Sequence, residues 1–145
     1  MAIAGAAAFV LDSRLIADTH HLGDLELSRV LLMDDARFPW LILVPRRANA
    51  RDLIDLSRED QHILLDEIDR CARVLQTLDR PDKLNIAALG NVVAQLHVHV
   101  IARFTGDAAW PRPIWGVGDR MTYSADALRN RQATLRAALR LVAAP

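Results

Sequence analysis

The segment Gln95-Leu96-His97-Val98-His99-Val100-Ile101 alternates side chains that can hydrogen bond with aliphatic ones, and this period of two constrains the chain more than any other feature. Successive residues of a strand point to opposite faces, so the alternation fits an extended strand and not a helix. Leu96, Val98 and Val100 are expected in a core, while Gln95, His97 and His99 line the other face at steps of roughly 7 Å. Two imidazoles and an amide lose free energy when buried without partners. Their face is therefore expected to be a cleft or a wet surface.

The other elements follow from local signals. Residues 26–33 and 40–45 are apolar and branched, and the short connection between them predicts an antiparallel hairpin with Pro39 at a strand end, where no donor is needed. Ser57 opens Ser-Arg-Glu-Asp, a serine cap with an acidic residue three positions on, so a helix starts there. Ile63, Leu64, Ile68, Cys71, Ala72, Leu75 and Leu78 recur at three- and four-residue spacing as a buried stripe, with Glu67, Asp69 and Arg70 wet, until residues 79–81 end the helix. Residues 83–89 read as a strand, and a second strand runs from 92 to about 103 after Gly90 and Asn91. Residues 104–120 are loop-like, residues 124–142 resume helical spacing, and residues 11–25 read as a helical turn or irregular lead-in. Strand pairs around one long helix predict an α+β fold, an antiparallel β-sheet with helices packed on it, in one domain over residues 1–145.

Composition narrows the classes of partner. Eighteen basic residues balance eighteen acidic ones, so no overall field draws the chain to a nucleic-acid polymer or an anionic membrane. The apolar run at residues 1–10 lacks a basic leader and is too short to span a bilayer, which makes a cytoplasmic location the expectation. The single Cys71 lies in the helical stripe and reads as a small apolar side chain.

Three readings of the histidine strand stand side by side. His97 and His99 can be plain surface residues. They can ligate a metal as a His-x-His pair, although no Glu follows Glu67 and only Asp107 and Asp119 are candidate carboxylates downstream, so no metal or other cofactor is expected. They can also serve a phosphate, since imidazole attacks phosphorus and a neighbouring donor can hold its oxygens.

QLHVHVIAR resembles the signature of the histidine triad family, in which three histidines alternate with hydrophobic residues. The hairpin LLMDDARFPWLILVPRR, the stretch KLNIAALGNVV and the loop WPRPIWG resemble that family's segments in the same order, over roughly residues 30–116. The resemblance implies a nucleotide-phosphate hydrolase or nucleotidyl transferase. Its substrates would be dinucleoside polyphosphates or nucleoside phosphoramidates, cleaved through a covalent nucleotidyl-histidine. A homodimer is implied as well. The alternative is a nucleotide-binding or regulatory protein of weak activity.

By the same resemblance His97 is the nucleophile and His99 contacts the phosphate, while Gln95 stands where the first histidine of the family stands. Glutamine donates a hydrogen bond but does not deliver a proton through an ionised form, so Gln95 is expected to orient phosphate without acting as an acid. Asn85 and Asn91 match amides near the phosphate, and Asp35, or else Asp34, matches the acceptor of the ribose hydroxyls. Gly90 lets backbone amides approach an anion. Phe38, Trp40, Trp110 and Trp115 are candidate walls for a base, while Arg46, Arg47 and Arg103 read as solvated strand ends.

Overall fold

The computed structural model describes residues 7–142, so residues 1–6 of the apolar N-terminal run lie outside it. In chain order it contains α1 (Ser13–Asp18), β1 (Thr19–Asp24), β2 (Ser28–Met33), β3 (Trp40–Pro45), a 3-10 turn (Leu53–Asp55), α2 (Arg58–Asp79), β4 (Lys83–Ala87), β5 (Val98–Arg103) and α3 (Ala125–Leu139). The strands form one sheet in the order β1-β2-β3-β5-β4, with every pair antiparallel. The α+β class and the 28–45 hairpin are as expected. So is the start of α2, where the Ser57 side chain accepts from the Asp60 amide.

The sheet has two unequal faces. Alternate residues Val30, Leu32, Leu41, Leu43, Val98 and Val100 join the core under α2 and α3. The opposite face carries a second cluster, in which Leu31, Trp40, Ile42 and Ile101 meet Leu15, Ile114 and the N-terminal Phe9 and Leu11. His97 and His99 belong to this second face.

Four expectations need correction. Residues 19–24, read as an irregular lead-in, form strand β1, which escapes a pattern search because its register shifts between His21 and Gly23. The strand expected from residue 92 begins only at Val98. Residues 88–97 are instead a loop, pinned by the Leu96 amide donating to the Ala50 carbonyl at 2.9 Å. Glu67, expected wet, is buried on α2 because its carboxylate accepts from the backbone amides of Leu27 (2.7 Å) and Ser28 (3.1 Å) at the turn into β2. Leu78, expected in the buried stripe, is exposed in the last turn of α2.

Gly23 marks where β1 meets the C-terminal segment. Its φ is +155°, and an added Cβ would stand 2.9 Å from the Val142 carbonyl oxygen and 3.0 Å from the Leu141 Cβ. Backbone cannot retreat as a flexible side chain does. Gly23→Ala is therefore expected to lower unfolding free energy by about 1–3 kcal/mol, read from the urea midpoint.

Candidate functional site

Strand register builds the site. His99 lies opposite Ile42 of β3 on one side and Ala87 of β4 on the other, so its ring rises from the middle of the second face. His97 precedes the strand on the same side, with the two imidazole centroids 4.9 Å apart at 71°. Both are nearly closed to solvent, at 7% and 6% exposure. Beside His97 opens a hollow of about 360 Å³ between the 3-10 turn and the β4–β5 loop, walled by Arg51, Leu53, Ile54, Leu89 and Gly90. It is large enough for a phosphate group and more.

The two rings are held in opposite tautomers. His97 Nδ1 lies 2.6 Å from the Gln95 carbonyl oxygen, which can only accept, so Nδ1 carries the proton and Nε2 keeps a free lone pair. His99 Nδ1 accepts from the Trp40 indole N–H at 3.0 Å, so its proton sits on Nε2. Trp115 stands edge-on to His99 at 5.1 Å. Burial, and after it the neighbouring His97, pushes the His99 imidazole down to about 3.

That depression has a consequence for stability. Below the ordinary value of 6.5 the unfolded chain takes up a proton that the folded ring refuses, so stability rises with pH across the window from about 3 to 6.5. His99→Gln removes this contribution. Between about pH 7 and about pH 4 the variant should lose about 2–3 kcal/mol less unfolding free energy than the parent chain, measured by urea denaturation.

The remaining expected site residues fall in different places. Gly90, with φ +75°, lines the hollow with Gln95 and His97. The Gln95 side chain, however, is tied to the N-terminal segment, for its Oε1 accepts from the Asp12 amide at 2.9 Å and its Nε2 donates to the Val10 carbonyl at 2.8 Å. Asn91 is exposed beside Gly90 and does not line the hollow. Asn85 opposes Ile101, two residues beyond His99, and its Oδ1 accepts from Arg103 at 2.8 Å. Trp110 lies against the Arg103 guanidinium, 5.7 Å from the ring, and it is Trp115 that touches His99.

Asp35 is buried, and both its oxygens are engaged by the Arg37 side chain, with the Arg37 and Met121 amides added on Oδ1. Burial alone would raise its carboxyl, but these bonds outweigh burial and hold it below the usual carboxylate range. It closes the hairpin loop onto residues near 121. Arg103, expected at a solvated strand end, is 1% exposed and ion-paired to Asp107 at 2.7 Å. Among the described residues no group of three or more His, Cys, Asp or Glu side chains is arranged to hold a metal ion.

Two participants were not foreseen. The Gln95 carbonyl as the partner of His97 has no signature in side-chain identity. Trp40 was expected only as a wall, since its bond to His99 depends on the β3–β5 register.

An open five-stranded antiparallel sheet with helices packed on it is the fold of the histidine triad proteins that this chain matches. The HIT domain family matches residues 14–106, and the chain belongs to that family. A histidine triad protein from Bradyrhizobium japonicum is 53% identical, with a TM-score of 0.89 over 92% of this chain and 99% of its own. Histidine triad proteins from Sinorhizobium meliloti and Marinobacter aquaeolei are each 43% identical, with TM-scores of 0.87 and 0.90. They cover 89% and 94% of this chain, and 96% and 100% of their own lengths. No curated protein matches at significance.

Proposed function

We propose that the chain is a nucleotide-phosphate hydrolase or nucleotidyl transferase acting through a covalent nucleotidyl-His97. The observation that carries this reading is the 2.6 Å contact of His97 Nδ1 with the Gln95 carbonyl, which assigns the proton to Nδ1 and leaves Nε2 of the neutral ring its lone pair in a residue that lines the hollow. In the first step Nε2 attacks the α-phosphorus and a P–N bond forms. The bond to the leaving group breaks, and the leaving group departs with the electron pair. Water then attacks phosphorus and gives up one proton to solvent, the P–N bond breaks, and Nε2 recovers its pair with release of the nucleoside monophosphate. The His99 Nε2–H and amides near Gly90 would hold the phosphate oxygens.

A second reading has a specific observation in its favour. Both ends of the Gln95 amide are occupied by Asp12 and Val10, so the position gives no proton to a leaving group, as a nucleotide-binding protein of weak turnover requires none. Incubation with a nucleoside phosphoramidate or a dinucleoside polyphosphate, with and without chelator, separates the two. Chelator-resistant release of nucleoside monophosphate, with a mass increment of one nucleotidyl group on the His97 peptide after acid-free quenching, supports the enzyme. Binding without release supports the weak-turnover protein.

The reading includes a homodimer. β4 is an outer strand of the sheet and carries the exposed Ile86 beside exposed Leu89, an edge suited to a second copy. Sedimentation equilibrium tests it. A cytoplasmic location belongs to the same reading; no helix of the described residues is long and apolar enough to cross a membrane.

A further inference from the structure

We propose that Trp40 is a positioning residue for this site, one that holds His99 as a neutral ring whose remaining N–H, on Nε2, is the phosphate donor. The proposal rests on the nucleotidyl reading above and adds the group that sets the state of the second histidine. An indole nitrogen can only donate, so the 3.0 Å contact to His99 Nδ1 exists for one tautomer alone. In the other tautomer two N–H groups would face each other in a buried place. The bond is between nearly enclosed partners, since Trp40 is as buried as His99.

The surroundings reinforce the choice. Trp40 and Trp115 meet edge to face at 6.1 Å and 89°, and His99 packs against both, with centroids 5.6 Å and 5.1 Å away. Water is thereby kept from two sides of the imidazole, and an imidazolium there would lack solvation. β3 contributes Trp40 and Ile42, β4 contributes Ala87, and the C-terminal loop contributes Trp115; the titratable neighbour is His97, at the end of the loop that leads into β5.

The consequence concerns how phosphate is held. Gln95 is tied to the N-terminal segment, so a fixed N–H on His99 is the imidazole donor next to the nucleophile, alongside Arg51 in the hollow wall. A ring that stays neutral presents the same donor at every working pH. A ring free to change tautomer would present a lone pair to an anion for part of the time, and that contact is repulsive.

The test uses the full chain labelled with nitrogen-15. Long-range proton–nitrogen NMR should show His99 with a bare Nδ1 and a protonated Nε2, unchanged from about pH 5 to about pH 8. The Nε2–H signal should shift when a nucleoside monophosphate is added. Trp40→Phe keeps an aromatic ring but removes the donor. In this variant the two nitrogens should become averaged and kcat should fall roughly 10- to 100-fold, with KM changed less than about threefold.

Trp40→His restores a ring N–H in a smaller, more polar side chain, and should regain part of the kcat and of the fixed signature. A role in packing alone ranks the two variants the other way, because phenylalanine fills the space better. The proposal is overturned if Trp40→Phe retains the His99 signature and its kcat, or outperforms Trp40→His. Should the parent chain cleave no nucleotide substrate, the nucleotidyl reading falls. The tautomer spectra and the monophosphate titration of the two variants then still decide whether Trp40 sets the donor.

Discussion

His97→Ala is expected to lower nucleoside monophosphate release by roughly 10⁴-fold or more, the scale on which loss of a covalent nucleophile is felt. The described residues offer no nearby substitute. His99 is the adjacent imidazole, but Trp40 occupies its Nδ1 and its Nε2 carries the proton, so it has no free lone pair to present. The loss should appear in kcat, because the phosphate contacts proposed for His99 and the backbone amides near Gly90 do not involve the replaced side chain. Binding of a nucleoside monophosphate, followed by calorimetry, should weaken by less than about tenfold. The nucleotidyl adduct should disappear from the peptide containing position 97. Turnover in the variant within tenfold of the parent rate would remove His97 from the mechanism and end the covalent reading.

What the amino-acid order disclosed divides according to the range of the interactions involved. The Ser57 cap, the apolar stripe of α2 and the hairpin of β2 and β3 depend on neighbours a few residues away, and they were readable. Alternation likewise placed His97 and His99 together on one face. Long-range contacts left no such trace. The 88–97 loop looks like a strand because Val92 and Val93 are aliphatic, yet its course is set by partners far away in sequence. Arg14 donates to the Val92 carbonyl, Gln95 bonds to Val10 and Asp12, and Leu96 bonds to Ala50. Glu67 and Arg103 were read as solvated because charge normally seeks water. Each is buried only because the fold brings it matched partners, backbone amides for Glu67 and a carboxylate for Arg103.

The Arg103–Asp107 pair should accordingly dominate the stability of the loop behind the site, with Asp107→Ala lowering unfolding free energy by about 3–5 kcal/mol. The Arg103 guanidinium is enclosed, donating to both Asp107 oxygens (2.7 and 3.0 Å), to Asn85 (2.8 Å) and to the Arg112 carbonyl (2.9 Å). Removing the carboxylate leaves a cation between Phe38 and Trp110 without its counter-charge. It also strips an acceptor from the amides of Phe104, Ala109 and Trp110, which Asp107 binds at 3.1, 3.0 and 2.7 Å. The bond from Arg103, with these amides outweighing burial, holds the Asp107 carboxyl well below the usual carboxylate range. The folded value is depressed, so the stabilisation is fully present above the unfolded value of 3.8 and is lost as pH falls below it through the folded value. The exposed Arg73–Asp69 pair on α2 is the contrast, and Asp69→Ala should leave the urea midpoint unchanged. Asp107 anchors the loop that delivers Trp115 to His99, so its replacement should also reduce turnover under conditions where the sheet remains folded. If Asp107→Ala and Asp69→Ala shifted the midpoint equally, burial would not be what gives the inner pair its weight.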